Sequence, residues 1–144
     1  MSAAPTVLLA GDHTSCCSTG VKHTGTPLGE LRNLPGLDCT VYISYPPDKS
    51  TTRVLLFYPD VYGPRYLNNQ LLMDYFAKQG FLVVSPDYFH GEQLEELQKK
   101  EDVDVAKWAY PFRAPAYELV EARFIPAVKR AFSTHAFFCL STRA

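Results

Sequence analysis

The chain has 144 residues, of which 47% are hydrophobic and 20% charged, and its formal net charge is -1. That length suits one domain with a sizeable core, and the composition is near globular averages, so neither a disordered chain nor a membrane protein is expected. The lysines and arginines are scattered and build no basic field, which argues against nucleic acid as a partner.

Met1 to Gly11 holds a short apolar run without a positive leader, and Asp12 and His13 follow at once, so no signal peptide is expected. No apolar stretch nears the roughly 18 residues of a transmembrane helix. The cysteines at 16, 17, 39 and 139 form no regular framework, which fits reduced thiols and a cytoplasmic setting. The stretch to about Thr26 is rich in Gly, Ser and Thr and predicts an irregular lead-in. Leu28 to Leu34 and Leu37 to Tyr45 alternate apolar and polar positions around Pro35-Gly36, predicting an antiparallel hairpin that Pro46-Pro47 ends.

Arg53 to Tyr58 is a nearly continuous apolar run and predicts a strand buried on both faces of a parallel sheet. From Asn68 to Gln79, Leu71, Leu72, Tyr75 and Phe76 recur at helical spacing, with Asn68 or Asn69 as N-cap and Gly80 as the stop. Phe81 to Val84 follows as a second buried strand, so strand, helix and strand form a right-handed parallel crossover. Glu92 to Lys100 predicts a short charged helix or loop on a solvated face. Tyr117 to Phe132 has helical spacing that Pro126 kinks or splits, and His135 to Leu140 is apolar enough for a strand. No internal repeat is visible.

In open α/β sheets, sites form beyond the carboxyl ends of the strands, which puts Pro59 to Gly63 and Pro86 to Gly91 at one rim. The segments Cys16-Cys17, His23 to Gly29, Asp60-Val61-Tyr62-Gly63, Asn68 to Leu72 and Pro86-Asp87-Tyr88-Phe89-His90-Gly91 together resemble the fungal branch of the dienelactone hydrolase family, from about Cys16 to Phe132. The resemblance implies a three-layer α/β hydrolase fold with helices on both sheet faces. It also implies a Cys-His-Asp triad acting on a small-molecule ester or lactone, with no cofactor and no metal. By position, the Val61 amide becomes an oxyanion donor. Asp60 is either the acidic residue near the nucleophile or a turn or cap residue.

The nucleophile of such a site needs a sharp turn of the form Gly-x-Cys-x-Gly, because small neighbours tolerate its strained backbone. No glycine follows Gly91. Cys139, in Phe137-Phe138-Cys139-Leu140-Ser141, is a weak nucleophile candidate with both glycine positions filled, and His135 precedes it in the wrong chain order for the fold. These features suggest a hydrolase domain truncated before its nucleophile strand is complete. On that reading residues 1–26 are the lead-in, 27–132 a partial domain and 133–144 a divergent tail, as a premature stop or altered splice would leave. Inactivity is expected, the alternative being a pseudoenzyme, an interaction module or a ligand-binding fragment.

Truncation exposes an apolar edge at Arg53 to Tyr58, which either the tail or a second chain covers, so self-association is a further expectation. Cys16, Cys17 and His23 make a poor metal set, since adjacent cysteines do not suit one tetrahedral ion. Trp108, Tyr110, Phe112 and Tyr117 either line a pocket or cap the core, and His90 is a rim loop residue.

Overall fold

A computed structural model describes residues 21–132 and 136–142; the adjacent Cys16 and Cys17, and His135, lie outside them. Residues 21–26 are without regular structure, and the hairpin follows as β1 (Glu30–Asn33) and β2 (Thr40–Ser44), antiparallel with Glu30 opposite Ile43. The buried run becomes β3 (Arg53–Tyr58), the helix α1 (Leu67–Lys78) and the second run β4 (Leu82–Pro86). A short α2 (Leu94–Gln98) and a long α3 (Val105–Leu119) lead through a π-helical turn (Val120–Phe124) into α4 (Ile125–Ala131), and β5 (Ala136–Ser141) closes the sheet.

The strand order is β1-β2-β4-β3-β5, with β3 parallel to both β4 and β5 and β2 antiparallel to β4. Strand alternation divides the core between the two sheet faces. Val54 and Leu56 pack with Val41, Ile43, Leu82 and Val84 against Phe124, Val128 and Phe132 of the helices that precede β5. Leu55 and Phe57 pack with Val83 against Met73 and Ala77 of α1 on the other face. Helices thus cover both faces of a mixed five-stranded sheet. The ladder between β3 and β5 runs from Arg53 opposite Ala136 to Tyr58 opposite Ser141, so the chain's own tail occupies the expected open edge of β3.

Three local expectations need correction. Helix α1 begins after Tyr66, which makes no side-chain cap, so neither Asn68 nor Asn69 is the N-cap. Its buried positions are Asn69, Met73, Asp74 and Ala77, whereas Leu72 and Tyr75 are exposed. Two polar residues can lie on that face because both have partners. Asp74 accepts hydrogen bonds from the Leu28 N–H (2.7 Å), the Gly29 N–H (3.2 Å), the Tyr42 hydroxyl (3.0 Å) and the Ser44 hydroxyl (2.6 Å). Burial, and then the neighbouring Asp74, push the Tyr42 phenol well above its ordinary pKa. Gly80 does follow the helix in the left-handed region at φ 90.

The second helical stretch begins at Val105 and not at Tyr117, with Asp104 capping the Lys107 N–H at 3.1 Å and Pro111 and Pro115 inside it. Trp108 stacks on Phe89 with ring centroids 5.1 Å apart, and Phe112 meets Phe89 edge-on at 5.3 Å, so these two aromatics cap the core. Tyr110 and Tyr117 point to solvent. Pro126 splits the helix as expected, through a widened turn: the Ile125 N–H reaches Val120 O, five residues back, just before the residue that has no N–H to give.

Candidate functional site at the β3 and β4 rim

Chain direction along β3 and β4 brings their carboxyl ends to one rim, where two loops emerge. After β3 the backbone turns back at once, the Gly63 N–H donating to Asp60 O at 3.0 Å, with Gly63 at φ 72. The Asp60 carboxylate accepts from the Tyr62 N–H at 3.0 Å, the geometry of an Asx turn. Asn69, buried on the first turns of α1, donates to that carboxylate at 3.1 Å and to Gly63 O at 2.8 Å. Val61 is the corner of this turn, and its N–H meets no acceptor among the described residues. A backbone donor is therefore held in a fixed direction by neighbours that spend their own hydrogen bonds on the loop.

The loop after β4 is tied to the first one. Asp87, 1% exposed, takes the Arg65 Nε–H at 2.7 Å on Oδ2, and the same oxygen takes the Gly91 N–H at 3.1 Å and the Thr40 hydroxyl at 3.3 Å. Arg65 also donates from Nη2 to the Thr40 hydroxyl oxygen at 3.0 Å. Asp87 Oδ1 is buried without a partner among the described residues. The Tyr88 hydroxyl donates to Pro59 O, joining the two loops a second time. Burial pushes the Tyr88 phenol up, and the charges of Asp60 and Asp87 add to the effect, so it remains a donor at neutral pH. Arg65 was not singled out in the sequence, and Asn69 and Tyr88 were named only as a helix cap and within a motif, because nothing local marks a residue whose partner lies on another loop.

A cavity of about 430 Å³ opens on the β2 side of this rim, lined by Cys39, Thr40, Arg65 and His90 among others. His90 adopts φ 53, a left-handed conformation at the loop corner, and is exposed. Burial pushes the Cys39 thiol up to about 11, so it stays protonated and unreactive at neutral pH. No group of three or more His, Cys, Asp or Glu among the described residues is placed to hold a metal ion.

Cys139 is not brought to the rim. It lies within the β3 and β5 ladder opposite Leu56, two residues before the pair that closes it, and its thiol is exposed. Burial first and the nearby Cys139 thiol second raise the pKa of the Tyr58 phenol. Val61 stands five positions beyond Leu56. Only Leu56 to Tyr58 is extended, so the end of β3 lies about 7 Å along the strand from the level of Cys139, and Val61 sits in the turn beyond it. A nucleophile and an oxyanion donor serving one carbonyl must each come within about 3 Å of it.

Comparison with curated proteins yields several related sequences. The chain is 43% identical over 94 residues to hydrolase tropI of Talaromyces stipitatus, covering 65% of this chain and 36% of that protein. It is 46% identical over 81 residues to hydrolase pyvD of Aspergillus violaceofuscus, covering 56% and 32%. Dienlactone hydrolase 2 of Gibberella moniliformis is 33% identical over 132 residues, covering 88% of this chain and 55% of that protein. The chain thus spans about a third to a half of the length of these curated relatives. No family model and no solved structure matches it.

Proposed function

Because the chain belongs to the dienelactone hydrolase family over the stretch it shares with these relatives, we infer that its rim is the oxyanion side of an ester or lactone hydrolase site and that these 144 residues do not complete the hydrolysis. The observation that carries this reading is the placement of Val61 in the braced turn beyond Tyr58, whereas Cys139 lies within the β5 ladder opposite Leu56. In the family's chemistry a thiolate attacks an ester carbonyl, a His oriented by a carboxylate moves the proton, and backbone N–H groups hold the oxyanion. Val61 supplies one such donor here. Asp60 is spent on the Tyr62 N–H and on Asn69, so on this reading it shapes the donor loop.

The functional class is then a non-catalytic relative of ester and lactone hydrolases that retains part of an anion-binding rim. Its small-molecule ligand carries a carbonyl or carboxylate oxygen that the Val61 N–H can meet. The test is a nitrogen-15 NMR titration with a small carboxylate such as acetate. The reading expects a saturable shift of the Val61 amide that Asn69→Ala weakens by releasing the loop. A Val61 amide that does not respond, in a protein whose other rim amides are unchanged, overturns it.

A further inference from the structure

The two edges of the sheet are built differently. Strand β1 is four residues long, exposed throughout, and carries Glu30 and Arg32, whose side chains pair at 2.8 Å. Short, charged strands are the ordinary way to keep an edge from pairing. Strand β5, at the opposite edge, is six residues long and reads Ala-Phe-Phe-Cys-Leu-Ser, with neither charge nor proline. Phe138 on this strand is 45% exposed and meets Phe81 edge to face, with ring centroids 5.4 Å apart.

The direction of the free backbone groups follows from one hydrogen bond. The Thr142 N–H donates to Tyr58 O at 3.0 Å. Along a strand, the N–H and C=O of successive residues turn to alternate sides, so those of Ala136, Phe138 and Leu140 face β3 together with Thr142. The backbone groups of Phe137, Cys139 and Ser141 face outward, where no strand lies among the described residues.

We propose that β5 is a self-pairing edge, through which two copies of this chain associate antiparallel about a twofold axis at Cys139. The pattern is self-complementary. With Cys139 opposite its own counterpart, Phe137 of each copy lies opposite Ser141 of the other, and all three outward-facing pairs exchange both of their backbone hydrogen bonds. The same register puts Phe138 opposite Leu140 of the second copy, on the face where Phe138 is now exposed, so an apolar cross-strand pair forms on each side of the axis. The small net charge of -1 opposes association little. This surface is independent of the rim reading, because it uses no residue of the β3 and β4 loops.

Two measurements on the full 144-residue chain test it. Light scattering across a concentration series is expected to show a monomer passing to a dimer. Cys139→Pro removes the outward N–H together with the exposed thiol, spares the N–H groups that face β3, and is expected to weaken the dimer by about tenfold or more, since two hydrogen bonds are lost per dimer. In hydrogen exchange of the unaltered protein, the Phe137, Cys139 and Ser141 amides are expected to be slow at high concentration and fast on dilution, while those of Phe138 and Leu140 stay slow throughout. A monomer at all concentrations overturns the proposal, as does a dimer whose exposed β5 amides exchange at the same rate at every concentration. A folded Cys139→Pro chain that dimerises as tightly as the original also overturns it.

Discussion

The rim at β3 and β4 and the strand β5 lie side by side in one sheet, yet they are held by different kinds of force. The rim is cross-tied by directional bonds: Arg65 to Asp87, Asn69 to Asp60 and Gly63, and Tyr88 to Pro59. Strand β5 is held by its ladder to β3 and by apolar contact, and its Cys139 thiol is free and exposed. Directional bonds fix where a donor points, as a site requires. A ladder with apolar packing fixes the path and register of a strand, and on the proposed reading β5 serves the fold without organising chemistry.

The largest effect is expected from breaking the rim. Arg65→Ala leaves the Asp87 carboxylate buried with only the Gly91 N–H and the Thr40 hydroxyl, and removing one partner of such a pair costs about 3 kcal/mol. Urea unfolding measures it, and a loss below about 1 kcal/mol means that the rim is not braced as described. Asn69→Ala follows, at about 2 kcal/mol, because Gly63 O loses a buried donor. Cys139→Ala is expected to change stability by no more than about 0.5 kcal/mol, since its side chain is exposed on an edge strand. Equal losses from Cys139→Ala and Arg65→Ala erase the contrast between the two regions.

The two described cysteines sharpen the same contrast through pH. The Cys39 thiol, ordinarily near 9.0, is pushed up to about 11, mainly by burial. Folding therefore favours the protonated thiol. Its contribution to stability is whole below about pH 9 and is lost as the pH rises toward about 11, as a pH series of unfolding midpoints checks. At pH 8 the native chain is expected to take an alkylating reagent at Cys139 while Cys39 stays unmodified. Equal labelling of both contradicts the burial of Cys39.

Much of the sheet was legible in the sequence, because β3 and β4 are apolar runs bounded by prolines and glycines and need no distant partner to be recognised. The tail strand was legible from its apolar run alone. The buried face of α1 was not: Asp74 is buried because donors from Leu28, Gly29, Tyr42 and Ser44 converge on it, and the local pattern of Leu71, Leu72, Tyr75 and Phe76 does not report them. Helix α3 was hidden by Pro111 and Pro115, each ordinarily costing about 3 kcal/mol inside a helix, and by a stabilising aromatic cluster whose third member, Phe89, lies on another loop. The turn carrying Val61 could be placed from its position after β3, whereas its bracing by Asn69 and the tie through Arg65 depend on contacts between segments.

The most direct test of the central claim, that the Cys139 thiol is out of reach of the braced donor, is hydrolysis of a small activated ester by the purified chain, with and without a thiol-alkylating reagent, after circular dichroism has verified its fold. The account predicts a folded protein whose ester turnover stays at the buffer rate and is unchanged by alkylation. Turnover that alkylation stops and Cys139→Ala abolishes contradicts it, because the thiol would then have to work beside an oxyanion donor from which its place opposite Leu56 separates it.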